Sequence, residues 1–246
     1  PRTSSAASDV YKRQIHEGTC ELKDFFSPQP IDKEIVTVLH QEEYVDRLIR
    51  MELSRSEIRK IGFPVSQQLI ERELIIAGGT VEGALKSLQW GISFNIAGGT
   101  HHAFSTHGEA FCMLNDQAIA ARYLLDHLLA QKILIIDLDV HQGNGTAEIF
   151  KKEDRVFTFS MHGQKNYPFK KEQSDWDIPL EDKTGDEKYL SVLDDTLPQL
   201  FDRVDPDFVF YLSGVDVMAT DRLGRLGMSL EGCKNRDERV LEFCHK

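Results

Sequence analysis

Cysteine is scarce in this sequence, and its four cysteines form no Cys-x-x-Cys pair. This spacing argues against a structural zinc knot or a disulfide scaffold, so a reducing, cytoplasmic location is expected. Long apolar runs are lacking too, and none approaches the roughly 20 residues that a membrane helix needs. We therefore expect neither a membrane-spanning segment nor a signal peptide.

Positive charge is also in short supply. Lysine and arginine number 29 against 40 aspartates and glutamates, which gives a net charge of −11, and no basic block interrupts this acidity. Direct binding of nucleic acid is therefore not expected. A cationic partner, such as a lysine side chain or a polyamine, suits the charge better, although the same balance is common in cytosolic enzymes.

The chain of 246 residues is long enough for one large α/β domain or two small ones. Residues 1–14 have no useful periodicity, and we predict a disordered or non-native tail there. Residues 15–246 are assigned to a single domain.

From residue 91 onward, strand patterns alternate with helix patterns. Strands are predicted at 91–97, 132–140, 155–162 and 207–216, and helices at 115–130, 146–152, 185–201 and from about 229. Upstream, two helices are expected on either side of a break at Gly78-Gly79-Thr80. This alternation is typical of an α/β fold with a doubly wound parallel sheet flanked by helices.

Ionisable residues follow the apolar run Ile133–Ile136. Asp137, Asp139 and His141 stand two residues apart, so in an extended chain their side chains share one face. Two carboxylates and an imidazole are costly to bury unpaired, and a bound cation is the simplest compensation. For this stretch alone, a turn with solvated acids is the alternative.

Other predicted strands end in similar groups. His101 and His102 follow two glycines, and Asp216 closes the last predicted strand. Ligands bind at the carboxyl ends of parallel strands, so these independent segments converge on one site. Asp139, His141 and Asp216 suit a catalytic Zn²⁺ with an open position, and the histidine pair supplies a base.

Further residues have open alternatives. Asp137 is suited to orienting a histidine or binding a second, harder cation, or it is a polar residue without an ion. Ser160 and Met161 approach from the next strand end. Phe111 and Tyr167 are loop aromatics suited to the walls of a narrow tunnel, with simple packing as the alternative.

Four motifs occur together in order: Gly98-Gly-Thr-His-His102, Phe111-Cys-Met-Leu-Asn-Asp116, Ile136-Asp-Leu-Asp-Val-His-Gln-Gly-Asn-Gly145 and Ser213-Gly-Val-Asp-Val-Met-Ala-Thr-Asp221. Over most of residues 35–246 the sequence resembles the zinc-dependent histone deacetylase family, which has the arginase–deacetylase fold. The stretches 141–145 and 221–229 look closest to the class IV branch and its bacterial relatives.

The resemblance implies a role for each matching residue. Zinc ligands are implied at Asp139, His141 and Asp216, a general base at His102, its charged partner at His101, and an acid orienting that partner at Asp137. A potassium site is implied at Asp137, the backbone oxygens of Asp139, His141 and Met161, and the Ser160 hydroxyl. Phe111 and Tyr167 are the implied walls of an acyl-lysine tunnel.

The sequence departs from the family pattern at three places. Asn144 stands where many members have an acid paired with the base histidine, so the pKa of His102 should be less raised. Ala110 replaces a frequent glycine. The family's Gly-rich loop with a tyrosine, which holds the substrate carbonyl, is expected beyond Lys246, so the fold should be incomplete at its C-terminus.

Removal of acyl groups from lysine side chains of proteins or peptides, by water activated on Zn²⁺ or Fe²⁺, is the leading hypothesis. Hydrolysis of small amides such as acetylpolyamines is the alternative on the same site. A catalytically weak, metal-binding fragment is a third interpretation. Nucleotide binding at Gly143-Asn-Gly145 is disfavoured, because the third glycine of the dinucleotide motif is missing.

Overall fold

The computed structural model describes residues 12–245. Most of the predicted tail, residues 1–11, therefore lies outside the described residues. Residues 12–16 form a short helical turn, so the last three residues of the predicted tail are helical here. A non-native origin of the tail stays a prediction.

A parallel sheet lies at the centre of the described chain. Its strands are β1 (Ile133–Asp137), β2 (Val156–Gly163), β3 (Trp176–Leu180) and β4 (Phe208–Leu212). They are ordered β3-β2-β1-β4 and every pair is parallel. The predicted parallel α/β sheet is confirmed, and the apolar β1 occupies an inner position where both faces are covered.

Helices cover both faces of this sheet. In chain order they are α1 (Lys33–Thr37), α2 (Glu42–Ile49), α3 (Arg55–Ile61), α4 (Gln67–Trp90), α5 (Asp116–Asp126), α6 (Asn144–Phe150), α7 (Asp186–Val204) and α8 (Leu230–Cys244), with a 3₁₀ turn at Leu22–Asp24. Ile133 and Ile135 of β1 pack into the core formed with α2 to α5. Leu134 and Ile136 pack into the opposite core, formed with α7 and α8. The period of two thus assigns alternate side chains to opposite layers.

The predicted break at Gly78-Gly79-Thr80 is wrong, because α4 runs through it without interruption. Gly78 allows close packing instead: a Cβ atom there would overlap with the backbone carbonyl oxygen of Gln29. Tertiary contact, rather than a chain turn, accounts for the glycine pair.

Two strand predictions also differ from the structure. Residues 91–97 are irregular rather than a strand, and among the described residues no strand pairs with them. Conversely, β3 has no predicted counterpart, because it is only five residues long and includes Pro179. Proline is tolerated at a sheet edge, and β3 is an outer strand of the described sheet.

None of the helices in the described part of the chain combines the length and the apolar character that a membrane crossing requires. The longest, α4, spans 24 residues, but charged side chains interrupt it.

Candidate metal centre

The loops that follow β1 and β4 bring three predicted ligands together. Asp139 Oδ1 lies 3.0 Å and Asp216 Oδ2 lies 3.1 Å from the same Nδ1 atom of His141. The candidate ligand atoms of the three residues all lie within 4.8 Å of one another. Residues 75 positions apart in the chain therefore form one cluster of two carboxylates and an imidazole.

This cluster has more acceptors than donors. Nδ1 of His141 carries at most one hydrogen, yet both carboxylates approach it. Burial lowers the pKa of His141, but the hydrogen bonds to Asp139 and Asp216 outweigh burial and raise it to about 10. Oxygen and nitrogen ligand atoms with this excess of negative charge fit a divalent cation such as Zn²⁺ or Fe²⁺. Such a cation would compete with the proton on Nδ1 of His141.

Backbone contacts fix the two ligand loops against each other. The Val140 amide donates to Asp216 Oδ1 at 3.0 Å, and the His141 amide donates to Asp139 Oδ1 at 2.8 Å. Behind them, the fully buried Arg236 of α8 donates from Nη1 to the carbonyl oxygens of Leu138 and Gly214. One guanidinium thus joins both loops.

The two adjacent histidines lie beside this cluster and are both buried. His101 Nδ1 is 2.6 Å from Asp137 Oδ2, and His102 Nδ1 is 2.6 Å from Asn144 Oδ1. The two ring centroids are 4.1 Å apart, and His101 Nε2 lies 3.9 Å from Asp139 Oδ1. The predicted histidine pair and the predicted ligand set are therefore in contact.

Different partners give the two histidines opposite charge preferences. Burial lowers the pKa of His101, but the charge and hydrogen bond of Asp137 outweigh it and raise the pKa to about 9. Burial and the neighbouring charge of His101 lower the pKa of His102 to about 3, because the amide of Asn144 opposes them only weakly. At neutral pH, His101 is charged and His102 is neutral.

Comparison with known proteins agrees with this geometry. The histone deacetylase domain family matches residues 2–246 of the chain. The chain belongs to the histone deacetylase family.

Its relatives within the family are found in bacteria and in eukaryotes. An uncharacterized protein of Picosynechococcus sp. is 43% identical over 94% of this chain and 77% of its own length. Histone deacetylase 2 of Arabidopsis thaliana is 29% identical over 100% of this chain but only 66% of its own length. The chain thus spans about two thirds of the length of that relative.

The fold is that of solved family members. The crystal structure of a histone deacetylase homologue from Aquifex aeolicus superposes with a TM-score of 0.83 at 25% identity, covering 94% of this chain and 68% of that one. The arginase–deacetylase fold expected from the motifs is therefore confirmed. Placement in the class IV branch stays a prediction.

The residues of the predicted potassium site lie in the neighbouring strands β1 and β2 and in the loop that follows β1. Asp137 and Ser160 are paired in register across β1 and β2, and Met161 follows in β2. Asp137 Oδ1 accepts a hydrogen bond from the Asp139 amide, and the Ser160 hydroxyl lies 3.0 Å from His162 Nδ1. Potassium binding itself stays a prediction.

The two predicted tunnel aromatics are placed differently. The Tyr167 ring stands edge-on to His102, with centroids 5.1 Å apart, whereas Phe111 packs on Phe63 and is 53% exposed. Phe169, 92% exposed, lies beyond Tyr167 and was not predicted. Ala110 has a φ of 44°, in the left-handed region, which explains why glycine is frequent there in the family.

Sequence reasoning missed three residues that support the candidate site. His40 is buried, with its Nδ1 donating to Phe104 O and its Nε2 accepting from the Asn115 amide. Arg236 lies on an amphipathic helix, where the sequence does not distinguish it from a solvent-exposed residue. Glu109 lies two residues before Phe111, the first residue of the second motif. Its carboxylate accepts a hydrogen bond from Asn144 Nδ2.

Proposed function

We propose that the protein is a metal-dependent amidohydrolase that removes acyl groups from lysine side chains of proteins or peptides. The observation that carries this proposal is the contact between the ligand cluster of Asp139, His141 and Asp216 and the histidine pair, in a chain of the histone deacetylase family. Because the chain spans only part of its relatives' length, the activity is proposed for the whole protein.

When bound to this cluster, Zn²⁺, or Fe²⁺ in its place, would polarise the substrate carbonyl and lower the pKa of a water molecule. His102 is the proposed general base. Its Nδ1 donates to Asn144 Oδ1, so its Nε2 keeps a lone pair that can accept a proton from water and return it to the departing lysine amine.

His101 and the tunnel residues have supporting roles in this proposal. The charge that Asp137 maintains on His101 favours negative charge developing on the substrate. Phe111 and Tyr167 line the acyl-lysine tunnel, with Tyr167 next to the base. K⁺ at Asp137, Ser160 and the backbone oxygens of Asp139, His141 and Met161 would hold the strand ends in place.

Substrate class and location complete the proposal. The net charge of −11 favours cationic lysine-rich peptides and gives no basic surface for direct binding of nucleic acid. The cysteines of the described chain are free thiols, which suits a cytoplasmic location.

The test uses the full-length protein loaded with zinc or iron and lysine peptides carrying acyl groups of different length. We expect release of acetate or a fatty acid, and an Asp216→Asn variant should release neither. Metal-loaded, folded wild-type protein that releases no acid from any of these peptides would refute the proposal. If it binds metal with no turnover, it is the weak metal-binding protein of the third interpretation.

Small acylated amines are a second candidate substrate, because an acidic protein also attracts free polyamines. Competition between an acetyl-lysine peptide and an acetylpolyamine separates the two candidates. Preferential hydrolysis of the peptide supports the first. Preferential hydrolysis of the polyamine replaces it with the second.

A further inference from the structure

Glu109, two residues before the second motif, is a carboxylate that none of the roles above uses. Its Oε1 accepts a hydrogen bond from Asn144 Nδ2 at 3.2 Å and another from the Tyr167 hydroxyl. Its Oε2 lies 3.5 Å from His107 Nε2. The side chain is mostly buried, with 19% of its surface exposed, so these contacts are made away from bulk water.

The amide of Asn144 has two chemically different ends, and each faces a different partner. Its oxygen is 2.6 Å from Nδ1 of His102, and its nitrogen points to Glu109. An ionised carboxylate only accepts hydrogen bonds. Glu109 therefore favours the orientation in which the amide nitrogen faces Glu109 and the amide oxygen faces His102.

The orientation of the amide decides which nitrogen of His102 carries the proton. An oxygen facing Nδ1 requires hydrogen on Nδ1 and leaves the lone pair on Nε2. A flipped amide would present its NH₂ group to Nδ1, which would then accept, and the proton would move to Nε2. In that tautomer Nε2 has no lone pair with which to accept a proton.

We propose that Glu109 is a positioning residue that fixes the amide of Asn144 and thereby keeps His102 in the tautomer protonated at Nδ1. The inference rests on the proposed function, since His102 is its general base. His101 needs no such residue, because its partner Asp137 is itself a carboxylate with two equivalent oxygens. The amide of Asn144 has two different ends, so a second acid, Glu109, is needed to fix its orientation.

Through the same oxygen, Glu109 also holds Tyr167, whose ring stands edge-on to His102. The amide that orients the base and the aromatic side chain beside the base therefore share one acceptor. Loss of Glu109 should affect the base directly and the tunnel wall as a secondary effect.

The experiment combines Glu109→Ala with Asn144→Asp. An acid at 144 accepts from His102 Nδ1 in either orientation, and it would repel Glu109. We expect Glu109→Ala to lower kcat by about tenfold in the chain with Asn144. With Asn144→Asp present, the same change should cost no more than about twofold or should raise kcat. A fold-stabilising role alone would give equal losses in both backgrounds and would refute the proposal.

A spectroscopic readout does not depend on turnover. In full-length protein labelled with ¹⁵N-histidine, the ring nitrogen shifts of His102 report its tautomer, with assignment from His102→Gln. The wild type should show hydrogen on Nδ1, and Glu109→Ala should show a mixture or hydrogen on Nε2. Glu109→Gln, whose side-chain oxygen can accept from Asn144, should restore the wild-type shifts.

Glu148→Ala is the matched control. The Glu148 side chain, one turn after Asn144 in α6, accepts hydrogen bonds from the amide and hydroxyl of Ser105 in the loop after the histidine pair rather than from the Asn144 side chain. It should leave the His102 tautomer unchanged, and a shift as large as that of Glu109→Ala would overturn the specific role. Unchanged His102 shifts in Glu109→Ala refute this inference, whereas correct shifts in a wild type without turnover refute only the proposed function.

Discussion

Two polar clusters lie close together in this molecule and are built on opposite rules, one buried around Asp116 and one partly exposed. The first surrounds Asp116, at the start of α5. Its carboxylate accepts hydrogen bonds from the Gly99 amide, from the amide and hydroxyl of Thr100, and from the Thr80 hydroxyl. Every contact pairs an acceptor with a donor, and the result is a fixed loop leading to His101.

The second cluster is the ligand set of Asp139, His141 and Asp216, in which two carboxylates share one imidazole nitrogen. Donors are too few for the acceptors, and the deficit of positive charge is what a cation would fill. The balance of donors and acceptors thus separates the cluster that holds the backbone from the cluster suited to a ligand.

The largest contrast is expected for Asp216→Asn. Zinc affinity should fall by more than about a hundredfold, because a ligand contributes more than the outer partners whose loss costs 10–100-fold. Without metal, stability should change by less than about 1 kcal/mol, because relief of the repulsion between two close carboxylates offsets the weaker hydrogen bond that an amide makes to the charged His141. Chelator competition and urea unfolding in a chelator measure the two effects. A loss of metal-free stability above about 1 kcal/mol would erase the distinction.

Asp116→Ala should have the reverse profile. It leaves buried backbone amides without an acceptor, and we expect a loss of about 3–5 kcal/mol in the free energy of unfolding. Asp116→Asn, which keeps one acceptor oxygen, should lose less. Zinc affinity of the folded fraction should change less than in Asp216→Asn. If Asp116→Ala reduced zinc affinity more than Asp216→Asn, the two clusters would not be separable.

His40 extends the matched rule to a titratable side chain. Burial disfavours the charged ring and lowers its pKa from 6.5 to about 4, although the hydrogen bond to Phe104 O opposes this shift. The neutral ring accepts from the Asn115 amide through Nε2, which a charged ring could not do. A lowered histidine pKa gives stability that is complete above pH 6.5 and lost as the pH falls toward 4. Between these values the wild type should lose about 3 kcal/mol more than His40→Gln. Urea unfolding across this range measures the difference, and parallel pH curves would contradict it.

The smallest effect is expected for Gly98→Ala. A Cβ atom at Gly98 would lie 2.6 Å from Asp116 Oδ2, so the matched cluster would have to shift. We expect a loss of about 1–2 kcal/mol, measured by urea unfolding. Gly185→Ala is the control, because its nearest neighbour would be 3.6 Å away, and equal losses in both variants would show that packing around Asp116 is not the cause.

The sequence could predict those features that depend on local pattern or on the general geometry of parallel sheets. The position of β1 and the polar groups after it follow from local pattern, since an apolar run buried on both faces reads directly as an inner strand. Asp216 lies 75 positions after His141, yet its proximity could be predicted because the carboxyl ends of parallel strands meet at a common edge. The proximity of the three ligand residues could thus be predicted, while their roles stay predictions.

Other features depend on contacts that leave no pattern in the sequence. Gly78 and Gly79 look like a break between two helices. They are small instead because the neighbouring segment at Gln29 packs closely against the helix there. Arg236 has the sequence appearance of a solvated helix residue, and only the fold shows it buried behind the ligand loops. Glu109 lies in a loop without periodicity, so its partner Asn144 becomes visible only in three dimensions.

The position of Arg236 also makes the arrangement of the two ligand loops depend on the last helix of the described chain. Its guanidinium donates to carbonyl oxygens of the loops that carry Asp139 and Asp216. A nascent chain still short of residue 236 lacks this clamp even though every ligand residue has already been translated. Helix α8, the last helix of the described chain, thus completes the contacts that hold the two loops in their observed arrangement.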